Sequence, residues 1–222
     1  MDILKQKHLW CSAAFVAAVM AGSASYGATI ELVTNGGFED GNTGFSTDFT
    51  NANGGFPGLA TVSVLSTNYY GITANSGSSF LAVNGGQVPG ANPSVWNQDI
   101  AVVAGTDYTL SFALGGTSAA PLPVGEVSVQ FDGLEILTAA APAGASYLSF
   151  GTSFTAASTG TFSLSFVETS LGFGGNDYAL DDISLTFDDG AGGPATVPLP
   201  AGGVLLLSAL GLGALTRRRK AA

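Results

Sequence analysis

Two short stretches hold most of the side chains that could do chemistry. One is Asn35-Gly36-Gly37-Phe38-Glu39 near the start, and the other is Tyr178-Ala179-Leu180-Asp181-Asp182 near the end. Both offer carboxylates, and their surroundings narrow the chemistry sharply. Of the sixteen Asp and Glu residues, all but Asp2 fall between residues 29 and 200, where no Lys, Arg or His occurs, so this segment carries a formal charge of −15. Nucleic-acid binding needs cations to displace counterions from phosphates, and there are none here. Phosphoryl transfer lacks its Lys or Arg clamp. Ser-His-Asp, Cys-His and Ser-Lys nucleophiles lack a base. An all-carboxylate site would be unusual for zinc. What survives is carboxylate chemistry and the binding of hard cations such as Ca²⁺ by oxygen.

The elements that must position these acids read as β-strands. Short apolar runs recur at 29–34, 60–65, 79–84, 95–103, 108–114, 126–131, 135–138, 147–155, 160–168 and 178–187. Several alternate with period two: Phe162, Leu164 and Phe166 share one face, as do Val127, Val129 and Phe131. Gly, Asn and Asp clusters punctuate them, among them Asn84-Gly85-Gly86, Asp132-Gly133 and the stretch 172–177. No exterior stretch of ten or more residues has a helical apolar period. About 170 residues suffice for one domain with a core, and so many antiparallel strands predict an all-β two-sheet sandwich, a jelly roll. Residues 40–58 read as a long loop over the first sheet. In the last strand, alternation puts Ile183, Leu185 and Phe187 on one face, so of the two Asp residues only Asp181 points coreward.

The two ends of the chain set its topology. Lys5 and Lys7, the apolar run 9–21 and the small residues that follow form a secretory signal peptide spanning 1–28, with cleavage after Ala24, Gly27 or Ala28. The single cysteine, Cys11, lies inside it, so the mature protein has neither a disulfide nor a thiol nucleophile. The jelly roll occupies 29–187, and the acidic, Gly-rich segment 188–196 is a flexible stalk. Last comes the segment 197–220: Val197-Pro198-Leu199-Pro200-Ala201, an uncharged run to Thr216, then Arg217-Arg218-Arg219-Lys220. The run is just long enough to cross a bilayer, and the basic block holds its end in the cytoplasm. This order resembles the PEP-CTERM sorting signals in their VPLPA variant; the alternative is an ordinary tail anchor with a Pro-containing linker. The resemblance implies a Gram-negative exosortase as partner, after signal peptidase and the Sec translocon. It also implies a single-pass inner-membrane intermediate with its domain in the periplasm, and delivery to the cell surface or to an exopolysaccharide biofilm matrix.

The exterior domain has a resemblance of its own. The two opening motifs, taken as the longer stretches Leu32–Glu39 and Tyr178–Leu185, with Ser94-Val95-Trp96-Asn97-Gln98-Asp99-Ile100 and Gly105-Thr106-Asp107-Tyr108-Thr109-Leu110-Ser111-Phe112 between them, are similar in order and spacing to galactose-binding-like jelly rolls. These are the carbohydrate-binding modules of the family 4/9 type and the related DUF642 domains. The resemblance implies that the first and last strands lie side by side. It implies a structural calcium where they meet, held by Glu39, by Asp181 or Asp182, and by carbonyls around Gly36 and Gly37. The rival reading leaves Asp181 and Asp182 as solvent-facing charges on an edge strand. For sugar stacking the ring candidates are Trp96, Tyr69 and Tyr70, followed by Tyr147 and Tyr178, although a lone Trp in a sandwich is more often packing. A non-catalytic binding domain is expected. The alternatives are a structural matrix protein without a ligand, or a glycoside hydrolase with two of Glu39, Glu126, Glu135 and Glu168 paired across a cleft.

Overall fold

A computed structural model describes residues 27–86, 93–118, 125–170 and 176–190. Residues 1–26 of the expected signal peptide, the expected stalk beyond 190 and all of the expected sorting segment lie outside the described residues. The strands are β1 (Thr29–Glu31), β2 (Thr50–Asn51), β3 (Thr61–Leu65), β4 (Phe80–Asn84), β5 (Ser94–Val102), β6 (Asp107–Gly116), β7 (Glu126–Phe131), β8 (Leu134–Ala140), β9 (Tyr147–Thr155), β10 (Gly160–Glu168) and β11 (Asp177–Asp188). No helix occurs among the described residues. One sheet runs β2-β3-β4-β11-β6-β9, with β1 added alongside β11; the other runs β5-β10-β7-β8. Every pairing except β2 with β3 is antiparallel. The fold is the expected two-sheet jelly roll. The compact unit Gly27–Ala191 contains every strand and both apolar clusters, so it carries its own core and folds as a unit.

Alternation builds the core as expected. Leu164 and Phe166 turn inward from β10 and are fully buried. Phe166 meets Trp96 of β5 edge-on at 5.6 Å and Phe112 of the facing sheet at 4.8 Å; such pairs add about 0.5–1.5 kcal/mol each beyond their burial. Asp132 and Gly133 both take positive φ (52° and 75°) in the two-residue turn from β7 to β8, as an Asp-Gly hairpin requires. A second, smaller cluster lies on the opposite face of the first sheet: Leu65, Tyr69, Ile72, Phe80, Ala82 and Ala179. Its members alternate along β4 and β11 with those of the main core, and the segment 66–79 folds down to cover them.

Two local expectations need correction. The segment 40–58 lies over the first sheet only in its second half, where the Gly54 N–H donates to Ser63 Oγ and Phe56 packs on Tyr69; its first half does not. Ser46 and Asn97 exchange N–H···O bonds of 2.9 Å and the Asp48 N–H donates to Ser94 O, so the segment runs along the open edge of β5 in the other sheet before forming β2. The free backbone groups of β5 are satisfied this way. In β11 the single alternation also breaks. The register to β6 shifts between Asp181 and Ser184, and Asp182 takes φ 52°, a β-bulge that inserts one residue. Tyr178 and Leu180 before the bulge, and Ile183 and Leu185 after it, all join the main core. Asp181 is therefore on the opposite face from Ile183, not coreward with it. It is buried all the same (0% exposed), because the 66–79 segment covers it.

Candidate functional site

The acids named from sequence gather where β1, β11 and the loop 75–79 meet. Glu31, which sequence reading passed over, ties β1 to β11: its Oε1 accepts the N–H groups of Leu32, Val33 and Leu185, and its Oε2 the hydroxyl of Ser184. A tight turn follows, in which Asn35 Nδ2 donates to Gly41 O and Thr43 O. The Gly36 carbonyl accepts the Ile183 N–H at the bulge (3.0 Å), so it serves the backbone. Buried Phe38 sits at φ 58°, a costly conformation for an aromatic residue, and sends the next residue, Glu39, toward the loop. Glu39 Oε1 accepts the N–H groups of Ser78 and Ser79 at 2.7 and 2.8 Å.

Asp181 and Asp182 hold the same loop from the other side. Asp181 accepts the Asn75 N–H on Oδ2 (2.8 Å) and the Asp182 N–H on Oδ1 (2.8 Å). Asp182 accepts Asn75 Nδ2 at 2.7 Å and the Ser76 hydroxyl at 2.5 Å. Burial pushes the Asp181 carboxyl up to about 6; the Asn75 N–H draws it partway back, and the neighbouring Asp182 charge raises it again. Tyr147 reaches across Gly115, where a Cβ would lie 2.7 Å from its ring. Its buried hydroxyl has no hydrogen-bond partner, and burial together with the Asp181 and Asp182 charges holds its pKa well above the usual phenol value. The structure thus brings Glu39, Asp181, Asp182, Gly36 and Gly37 to one region. The donors are the hard oxygens Ca²⁺ takes, and the orphaned phenol lies near the same acids. The carboxylates are engaged with loop 75–79, and among the described residues no group of three or more acids converges on one point.

The ring candidates separate. Trp96 is fully buried against Phe166, so it presents no face to a ligand and belongs to the core. Tyr178 is likewise buried. Tyr69 and Tyr70 lie in a turn closed by reciprocal bonds between Tyr69 and Ile72 (2.8 and 3.0 Å), with Tyr70 and Gly71 both at positive φ (45° and 91°). The Tyr69 ring is buried in the outer cluster and its hydroxyl donates to Asp177 Oδ1 (2.9 Å). Tyr70 is held in its strained conformation by the Ser118 N–H and hydroxyl on its carbonyl (2.7 and 2.5 Å), and the residue is 39% exposed. Phe56, 55% exposed, completes a triangle in which all three ring centroids stand 4.9 Å apart. Phe56 was invisible in sequence as a lone aromatic in Gly54-Gly55-Phe56-Pro57-Gly58.

The carboxylates weighed for hydrolysis are dispersed. Glu135 accepts the Ser128 hydroxyl, which holds its carboxyl below the ordinary value, and Glu126 accepts the Thr169 hydroxyl. Glu168 stands apart. It follows Phe162, Leu164 and Phe166 on the inward face of β10 and is 1% exposed. Burial pushes its carboxyl up to about 8, with the Tyr178 hydroxyl and the Ser170 N–H drawing it partway back and the Glu126 charge adding to the rise. Its Oε1 accepts the Ser170 N–H and hydroxyl, while the Tyr178 hydroxyl lies near enough to favour the anion without forming a well-aligned hydrogen bond to Oε2.

No known protein family matches the sequence, and no curated protein is similar to it. Solved structures are similar in fold. A cyclase from Fischerella sp. TAU, in complex with 4-(1H-indol-3-yl)butan-2-one, superposes with a TM-score of 0.51 at 14% identity, over 72% of this chain and 98% of that one. The Stig cyclase Fisc of the same organism, in complex with an indole, gives 0.50 at 16% identity over the same shares. The carbohydrate-binding module TmCBM61, in complex with β-1,4-galactotriose, gives 0.47 at 17% identity, over 70% of this chain and 97% of that one. At these identities the likeness is one of architecture, and the chain is an all-β jelly-roll sandwich.

Proposed function

We propose that this is a non-catalytic, exported carbohydrate-binding domain whose ligand stacks on Phe56 and Tyr70. The observation that carries the reading is the pair of exposed rings, Phe56 and Tyr70, seated on the buried Tyr69 ring, with Tyr70 held at positive φ. Strain held at a side chain that points outward fits a functional residue better than a packing one, and exposed rings at fixed spacing are what sugar faces stack against. The absence of Lys, Arg and His from residues 29–200 favours a neutral ligand over an anionic one. Burial favours binding over hydrolysis, since Glu168 points into the sheet interior while Glu39 and Glu135 are tied to their neighbours. We read the ends of the chain as signal peptide and exosortase-type sorting tail, delivering the domain to the surface or to an exopolysaccharide matrix.

The unit Gly27–Ala191 tested against a glycan panel and the host's own exopolysaccharide checks this. Phe56→Ala and Tyr70→Ala should each weaken binding by about tenfold, a stacking contact being worth roughly 1–1.5 kcal/mol, with the melting temperature lowered by only a few degrees for Phe56→Ala as its ring contacts with Tyr69 and Tyr70 are lost. Retention of full affinity by both variants would remove the platform from the site. If no glycan binds, the reading as a structural matrix protein takes its place.

Calcium is proposed at Glu39, Asp181 and Asp182. When bound it would supply a counter-charge that no side chain in the segment provides. Millimolar Ca²⁺ should raise the melting temperature over that in EDTA by several degrees, and Asp182→Asn should shrink the increment. Identical melts with Ca²⁺ and EDTA would exclude the metal.

A further inference from the structure

A sheet edge presents unpaired N–H and C=O groups, and proteins ordinarily blunt it with charge, Pro, a bulge, a cover or brevity. Here three of the four sides are treated so. The β5 edge is covered by Ser46–Asp48. The side of the first sheet away from β9 ends in β2 and β1, of two and three residues. The β8 edge carries Glu135 and a register shift against β7. Among the described residues, the β9 edge has none of these. It runs nine residues, Tyr147–Thr155, in unbroken register with β6 and contains no charge and no Pro. It lies within the stretch 136–167, which holds no charged residue in a domain otherwise rich in acids.

The bonding parity of β9 is fixed. The Gly116 N–H donates to Ser146 O (2.9 Å) and the Ala156 N–H to Thr106 O (3.1 Å), both in the register that pairs Gly115 with Tyr147 and Asp107 with Thr155. Even-numbered residues therefore bond to β6, and Tyr147, Ser149, Gly151, Ser153 and Thr155 turn their N–H and C=O groups away from it.

We propose that β9 is where a second copy of this domain adds, antiparallel, about a two-fold axis at Gly151. That register places Gly151 opposite Gly151, Ser149 opposite Ser153 and Tyr147 opposite Thr155, so every outward-facing donor meets an outward-facing acceptor. On the other face it sets Leu148 of each copy, 50% exposed alone, against Phe154 of the other. Phe154 walls a cavity of ≈ 210 Å³ with Phe131, Leu134, Ile136 and Phe162, and Leu134 is 72% exposed, so apolar surface continues past the strand edge. The partner is a second copy because the strip is self-complementary about its centre. It is also neutral, with no charge for an ionic partner to read. Two anionic domains repel elsewhere, so added salt strengthens the pairing.

The test is sedimentation of the unit Gly27–Ala191 from micromolar to millimolar concentration. The wild type should dimerise, more tightly in salt. Ser149→Lys with Ser153→Lys, and separately Ser149→Glu with Ser153→Glu, place like charges opposite each other twice and should each weaken dimerisation at least about tenfold. Mixing the two should restore association, since Lys then faces Glu. A wild type monomeric throughout, charged variants that self-associate like the wild type, or a mixture that stays monomeric would each overturn the proposal. Melting curves report the fold of every variant. Should a charged pair unfold the domain, Ser149→Pro replaces it, because its N–H faces away from β6 and Pro is tolerated there; it too should abolish dimers, and normal dimerisation by Ser149→Pro would overturn the proposal.

Discussion

Raising the pH from about 5 to about 8 is expected to destabilise this domain, and Glu168→Gln is expected to remove most of that loss. Glu168 lies inside the sandwich with Oε2 unpartnered, and burial pushes its carboxyl from 4.5 to about 8. Between these values the folded chain holds a proton that the unfolded chain has released. Stability is therefore fully present below about 4.5, falls as pH rises through this window, and is constant again above the folded value. The full span at 1.36 kcal/mol per unit gives a ceiling near 5 kcal/mol; with the neighbouring Tyr178 hydroxyl and Ser170 able to reorient around the anion, about 3 kcal/mol is expected. That corresponds to roughly 6–12 °C in melting temperature for a domain of this size. The Glu126 charge acts in the same direction. Glu168→Gln keeps the shape without the titration, so it should match the wild type near pH 5 and exceed it near pH 8. EDTA in all samples keeps the Asp181 region metal-free. If the variant and the wild type lose stability in parallel, Glu168 is not the group responsible.

How far the sequence revealed this arrangement depended on whether the feature was local. Strand period and turn residues are written into neighbouring positions, so the core face of β10 and the Asp132-Gly133 hairpin were legible. The same period extends to Glu168, two residues beyond Phe166, and could have exposed it as a buried acid. The β11 bulge is not in the pattern. Asp182 at φ 52° looks like any strand residue in sequence, yet it reverses which face Asp181 occupies. Trp96 fell to the core through long-range contact with Phe166, which itself packs on Phe112 of the facing sheet. Phe56 joins Tyr70 only because the 40–58 segment follows the β5 edge and returns to β3, a path set by strand order. Edge status is of the same kind: β9 reads like an interior strand until the sheet order is known.

The adjacent residues Gly36 and Gly37 are expected to differ sharply on conversion to Ala. A Cβ on Gly36 would stand 1.8 Å from the carbonyl oxygen of Ile183, 2.8 Å from its carbon and 3.0 Å from Val33 Cγ1. Two of these atoms are backbone at a bulge already fixed by its bonds to Gly36 O and to β6, so no side chain can swing aside. Relief requires the 35–41 turn to lift from β11, which breaks the Ile183 N–H bond and withdraws Glu39 from the Ser78 and Ser79 amides. Overpacking and a lost buried hydrogen bond together should cost about 3 kcal/mol or more, again roughly 6–12 °C. A Cβ on Gly37 meets only Asp182 Oδ1, at 3.9 Å, and φ there is not positive, so Gly37→Ala should stay within about 0.5 kcal/mol of the wild type. The pair separates geometry from general intolerance of the turn: a large loss at both positions would mean that the turn demands glycine for its backbone. A loss at Gly36 alone would mean that the domain closes by pressing its first turn onto the bulge that orients Asp181 and Asp182. In that case any calcium increment in the melting temperature should shrink in Gly36→Ala and persist in Gly37→Ala, since the metal-bearing acids and the turn would be one cooperative element.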